Sequence, residues 1–382
     1  MPTRRKILHA LNLGGGALLL RPRLLFAAPG RGRRRFVFII QRGAADGLAI
    51  VPPLGDPAYA GLRGALVPEG AVKLDAMFAL HPALAETAKM YAAREALFVQ
   101  AVASPYRERS HFDGQNVLET GGGAPYTLKD GWLNRLAALL PDDGEHAIAF
   151  AATVPLALRG KAAVTSYAPS ALPQASDDLL TRVGMLYAGD AQLHALWDSA
   201  LAAQALAGDA GGRRDAASLG ATAASFLLRP DGPRIAMIET GGWDTHSGQN
   251  GRLAAQLKSL DALLAALKAG MGAQWADTVV LVATEFGRTA AANGTGGTDH
   301  GTGAAAMLVG GAVQGGRVIA DWPGLARGAL LDGRDLKPTL ALDNLIAGAV
   351  AACFALEPAR TADALFAQAG AARPLEGLVT RT

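Results

Sequence analysis

Among 382 residues there is a single cysteine, Cys353. One thiol builds neither a disulfide framework nor a thiolate metal site, and its apolar helical surroundings mark it as a small core residue. Aromatic residues amount to 6% and no stripe mixes them with basic residues, so a nucleic-acid surface has no support. Long apolar runs are missing as well. The weakly apolar stretch 10–20 is too short for a bilayer and carries Gly14, Gly15 and Gly16, and no later segment could span one. There is no Gly-x-Ser-x-Gly elbow. The glycines at 294–303 precede a strand pattern, where a phosphate cradle needs a helix.

What is present begins with Arg4-Arg5-Lys6 ahead of that short apolar stretch, and Ala27-Ala28 before Pro29. A charged start, a short apolar run and a small-residue exit predict a removable twin-arginine signal over residues 1–28. The twin-arginine export machinery is then a partner, and the mature chain works in the periplasm or otherwise outside the cytoplasm. The signal also accounts for the basic balance. Lys and Arg total 36 against 33 Asp and Glu, but five of the basic residues lie in 1–28, so the remainder carries 31 against 33. The positive charge of the full chain therefore says nothing about polyanionic partners.

The remaining residues, 29–382, read as one domain. Phe36-Val37-Phe38-Ile39-Ile40 is a continuous run of the kind buried on both faces of a sheet. A helix is expected over 82–94, strands over 97–102 and 146–152, and a mainly helical, alanine-rich insertion over about 175–229, opened by Ser176-Asp177-Asp178. Strand 234–239 follows. Leu253, Leu257, Leu260, Leu264 and Leu267 mark one face of a helix that Gly270 should stop. Strands over 278–283 and 304–309 close the pattern. Alternating strands and helices predict an α/β fold, three α/β/α layers around a mostly parallel sheet.

In such a sheet ligands bind beyond the carboxyl ends of the strands, and the polar residues gather there. Asp46 follows the first strand and Ser110-His111 the second; Asp244 and His246 follow a later one, and Glu285 and Arg288 the next. Asp299 and His300 lead into the last. Asp46, Asp244, His246, Glu285, Asp299 and His300 form a ligand set for one or two divalent ions, with zinc, manganese, iron, magnesium and calcium all open. Ser110 is the candidate nucleophile, and Arg42 and Arg288 would neutralise developing anionic charge. Each motif alone has a plainer account. Asp244 or Asp299 could cap a turn, Ser110 could be a loop hydroxyl, and His111 could bond a backbone carbonyl, so it is not counted as a ligand. His81, His146 and His194 sit in helical or strand-like settings that make core or surface roles sufficient.

Several motifs carry a resemblance: Gln41-Arg42-Gly43-Ala44-Ala45-Asp46-Gly47, Arg109-Ser110-His111-Phe112-Asp113-Gly114-Gln115, Gly241-Gly242-Trp243-Asp244-Thr245-His246, Thr284-Glu285-Phe286-Gly287-Arg288-Thr289 with Thr298-Asp299-His300-Gly301, and Leu331-Asp332-Gly333-Arg334-Asp335-Leu336. In this order they resemble the exported domain-of-unknown-function 1501 (DUF1501) family, related to the alkaline-phosphatase-like superfamily that includes sulfatases. The resemblance implies that fold, a metal site at the sheet's carboxyl edge, and a small-molecule or saccharide ester of phosphate or sulfate as substrate. Three positions depart from the superfamily pattern. Asp244 and His246 are two apart instead of four, Glu285-Phe286 replaces an Asp-His pair, and Asp46 lies beyond its strand end. One metal, or a pair completed by Asp299, both fit. Two readings remain: a metal-dependent ester hydrolase, or a non-catalytic exported binding or assembly protein keeping the fold and a partial metal site.

Overall fold

The structure is a computed structural model and describes residues 34–141, 146–168, 177–190, 193–198, 200, 215–368 and 373–380. The export signal expected over 1–28, Ser176 at the head of the expected insertion, and residues 201–214 within it lie outside them. Among the described residues, nine strands form the central sheet: β1 (Arg35–Gln41), β4 (Ala96–Ala103), β5 (Ala147–Phe150), β6 (Val164–Ser166), β7 (Ile235–Thr240), β8 (Thr278–Thr284), β9 (Ala304–Val309), β10 (Arg317–Ile319) and β11 (Leu340–Ala341). β2 (Val72–Lys73) and β3 (Ala79–Leu80) make a separate small hairpin.

β1 sits centrally, parallel to β7 on one side and β8 on the other, which explains its uninterrupted apolar sequence. Its alternate residues divide the interior. Phe36, Phe38 and Ile40 pack with the helices Trp132–Leu139, Leu342–Phe354 and Pro358–Phe366. Val37 and Ile39 pack with Ala85–Ala92, Ala216–Leu227 and Gln249–Met271. Strand periodicity therefore sends side chains into two cores, one on each face, and the fold is a three-layer α/β/α sandwich as expected.

One strand runs the other way. β9 is antiparallel to both its neighbours, β4 and β8, while the other pairings are parallel. The amino end of β9 therefore lies at the edge where β1, β4, β7 and β8 have their carboxyl ends. This reversal places the loop before β9 beside the loops after the other four strands.

One helix end differs from expectation because of tight packing at a glycine. The helix Gln249–Met271 runs through Gly270 and ends at Gly272, whose φ of +51° favours glycine. A Cβ on Gly270 would lie 2.6 Å from the Cβ of Ala224, so this glycine admits the neighbouring helix Ala216–Leu227 and does not terminate its own. Near the start, the helix expected over 82–94 is the shorter Ala85–Ala92. The insertion contributes the helices Asp177–Tyr187 and Ala216–Leu227.

Candidate metal centre

β4 leads through residues 104–110 to the helix His111–Thr120, which makes His111 its first residue and Ser110 its N-cap. His111 Nδ1 lies 2.8 Å from Glu285 Oε1. Glu285 follows β8 and is wholly buried; its carboxylate also accepts from the Gly43 backbone N–H at 2.8 Å, from Gln115 Nε2 at 3.1 Å and from the Thr284 hydroxyl at 2.9 Å. Burial alone would push the Glu285 carboxyl up. The hydrogen bonds from His111, Gln115 and Gly43 outweigh it and hold the group below the usual range. An ionised carboxylate only accepts, so Nδ1 of His111 carries the proton, and that bond is the main cause of the raised His111 pKa. In the neutral ring Nε2 is then a bare lone pair. It is buried, without a hydrogen-bond partner, 3.5 Å from Asp244 Oδ2.

The same logic holds for two further imidazoles. His300 Nδ1 lies 3.0 Å from the Arg109 carbonyl oxygen, which can only accept. His246 Nδ1 lies 3.1 Å from Asp299 Oδ1. Both rings therefore present Nε2 to the same point: these two atoms are 3.0 Å apart, and they lie 3.0 Å (His246) and 3.3 Å (His300) from Asp244 Oδ1. Burial first, then the neighbouring His111, lowers the His300 pKa and keeps that ring neutral. Burial would raise the Asp244 carboxyl, but Arg288, His246 and His111 hold it low.

The Nε2 atoms of His246 and His300 cannot face each other at 3.0 Å through lone pairs without a cation or proton between them; Arg288 Nη1 stands 3.4 Å from His246 Nε2, and His111 Nε2 has no hydrogen-bond partner. Metal bonds of about 2.0–2.1 Å at tetrahedral angles would put donor atoms roughly 3.3–3.4 Å apart, close to the separations around Asp244. The donor atoms of His111, Asp244 and His300 all lie within 4.8 Å of one another. Backing each ligand histidine with an acceptor at Nδ1 is the arrangement that orients such ligands and raises their basicity. The residues fit a divalent ion held by His111, Asp244 and His300, with His246 Nε2 beside them, 3.0 Å from both Asp244 Oδ1 and His300 Nε2.

Of the residues expected as ligands, the structure gathers Asp244, His246 and His300 at this centre. Glu285 and Asp299 stand one step back, behind His111 and His246. Asp46 lies elsewhere, paired with wholly buried Arg63 through both oxygens, bonded by Gln249 Nε2 at 2.6 Å, and capping the short helix after β1 through Leu48 N at 3.1 Å. Neither arginine points a free guanidinium into open space. Arg288 is buried and donates to Asp244 Oδ1 at 2.7 Å. Arg42 is held by Glu119 at 2.8 Å, Gln115 at 2.9 Å and Glu239 at 3.0 Å. Ser110 is half-buried, its backbone N–H donating to the Tyr106 hydroxyl at 3.0 Å. Phe286, where the resemblance expects a histidine, stacks on the His111 ring at 5.1 Å and 24° and lies 5.2 Å from His300.

His111 is the residue the sequence reading passed over. Its signal was available, since it opens a helix directly after a strand end at the same edge. What distinguishes a ligand from a satisfied loop histidine is Glu285, 174 positions away. Two glycines make the approach possible. Gly43, at φ +118°, would bring a Cβ within 2.7 Å of Asp244 N, and a Cβ on Gly287 would meet the Gly303 carbonyl oxygen at 1.8 Å.

No curated protein matches the chain. Solved structures similar to it include the C-terminal periplasmic domain of EcEptC from Escherichia coli, in complex with Zn (8% identity, 73% of each chain covered, TM-score 0.37). An alkaline phosphatase from the Antarctic bacterium TAB5 is similar over 75% of this chain and 94% of its own, at 10% identity and TM-score 0.37. A protein in the alkaline phosphatase superfamily from Vibrio parahaemolyticus is similar over 73% and 60%, at 11% identity and TM-score 0.37. The model of one family, described as "Protein of unknown function (DUF1501)", matches residues 33–341, and the chain belongs to that family.

Proposed function

We propose that the protein is a metal-dependent hydrolase of phosphate or sulfate esters, exported by the twin-arginine pathway to work outside the cytoplasm on a small-molecule or saccharide ester. One observation carries the reading: three imidazoles, each with its Nδ1 proton taken by an acceptor, turn Nε2 toward Asp244. Three nitrogens and one carboxylate favour zinc, manganese or iron over the oxygen-seeking magnesium and calcium. When bound, the ion supplies Lewis acidity toward an ester oxygen and offsets anionic charge.

The chain's own groups do the remainder. His111, His246, His300 and Asp244 hold the ion, while Glu285, Asp299 and the Arg109 carbonyl keep the rings in the ligating tautomer. Arg288 balances the Asp244 charge from the buried side. Ser110, adjacent to His111, is the nucleophile in this reading, and Arg42 secures Glu119 and Gln115 beneath the helix that carries both. With Asp46 engaged by Arg63, a single ion is expected.

The test is metal analysis of protein purified from its native compartment, with a panel of aryl phosphates and aryl sulfates. One ion per chain and turnover on either panel are expected. Asp244→Asn and His300→Ala should lose the ion, while Ser110→Ala should keep it and lose turnover. Metal-free protein inert on both panels would sink the proposal. A tightly bound ion without turnover would favour the exported, non-catalytic binding or assembly protein.

A further inference from the structure

The closing motif 331–336 has no part in the centre so far, yet its Asp335 is wholly buried among charged partners. Asp335 Oδ2 accepts from Arg109 Nε at 3.0 Å and Nη2 at 2.8 Å, and from the Thr302 hydroxyl at 2.8 Å. Its Oδ1 accepts from Arg334 Nη1 at 2.9 Å, and Arg334 Nη2 reaches the His300 carbonyl oxygen at 2.8 Å. All three partners bear on His300: Thr302 is two residues beyond it, Arg334 holds its backbone, and Arg109 supplies the carbonyl at its Nδ1.

Arg109 is also one of the few non-glycine residues in the left-handed region, with φ +63°. That conformation strains a side chain carrying a Cβ and persists only where surrounding contacts over-determine it. Here it turns the Arg109 carbonyl toward His300. Relaxed to negative φ, residue 109 would swing that oxygen away, and the His300 proton could move to Nε2, the atom facing Asp244.

We propose that Asp335 is a positioning residue for the metal centre: by clamping the Arg109 guanidinium it holds residue 109 left-handed, and so keeps the His300 proton on Nδ1 and the Nε2 lone pair free. The inference rests on the metal reading above, and its test separates the two. Zinc affinity of the full chain is measured by competition with a chromophoric chelator, and the ligand field by the visible absorption of the Co(II)-loaded protein. The variants are Asp335→Asn, Arg109→Ala and Arg109→Gly. Both Arg109 variants lose the ion pair, but glycine adopts positive φ without strain and alanine does not.

Asp335→Asn and Arg109→Ala are expected to weaken zinc binding by about 10–100-fold and to shift the Co(II) bands, as loss of a backing partner does. Arg109→Gly should fall between them and the wild type. An ion pair that merely stabilised the fold would make the two Arg109 variants equal, which overturns the proposal even if Asp335→Asn fails to fold. Wild-type affinity and spectrum in Asp335→Asn and Arg109→Ala would overturn it too, leaving the metal reading intact. A wild type that binds neither zinc nor cobalt removes both.

Discussion

Replacing Asp46 by alanine separates a ligand role from the structural one that its contacts describe. The substitution strips Arg63, whose side chain is wholly buried, of its carboxylate and leaves it one remaining acceptor, the Thr289 carbonyl at 3.1 Å. Breaking a buried pair from one side costs about 3–5 kcal/mol because the surviving charge stays desolvated. The same carboxylate caps the helix Gly47–Ile50 through Leu48 N, which adds about 1 kcal/mol. Unfolding entropy of about 2.1 cal/mol/K per residue over the compact unit Gly32–Thr382 makes each kcal/mol worth about 1.4 °C. A melting temperature lower by roughly 6–8 °C is therefore expected. The assay pairs near-ultraviolet circular dichroism melts with metal content per folded chain, which should not change. Asp46→Asn/Arg63→Met, which removes both charges, should recover much of the loss. An Asp46→Ala protein that melts like the wild type but has lost its ion would refute the reasoning and return Asp46 to the ligand set.

Glu285→Gln removes the charge behind His111, so the His111 titration midpoint in metal-free protein, followed by NMR, should move down, and metal affinity should fall about 10–100-fold; an unmoved midpoint would contradict the tautomer argument. Asp343, near the start of the helix Leu342–Phe354, is pushed up to about 7 by burial, against the opposing charge of Arg107. The native state therefore holds this proton more tightly between about pH 4 and 7, and the group costs stability as pH rises through that window. Asp343→Asn should match the wild type near pH 4 and exceed it by up to about 4 kcal/mol at pH 8 in urea melts, and a difference independent of pH would argue against it. Gly287→Ala forces a Cβ onto the Gly303 carbonyl, so a loss of about 1–3 kcal/mol is expected, visible as a lower melting temperature.

The sheet was legible because its strands are continuous apolar runs, and β1, β4, β7, β8 and β9 fall within a residue or two of where those runs lie. The carboxyl-edge argument also pointed to Asp244, His246 and His300, whose side chains the structure brings together. It could not rank them against Glu285 and Asp299, since a ligand and the group behind a ligand demand the same chemistry and differ only in which atom faces which. Asp46 illustrates a second limit. Its partner Arg63 lies 17 residues on in an unremarkable helix, and only burial shows that the charge is already balanced. His111 and Gly270 show the third: contacts with residues far away in the chain turn a histidine ring toward the centre, and make a glycine a packing device and not a stop.

The reversed course of β9 has a consequence for how the chain closes. Because β9 folds back on β8, the segment from Glu285 to His300 is one local connection that can organise early. His111, by contrast, reaches the centre only when β4 docks on the other edge of β9, pairing Ala96 with Val309 across most of the chain. An ion held jointly by His111 and His300 would therefore bind fully only after that distant closure. The centre then reports the completion of folding, and an ion seated there resists the reopening of that long connection.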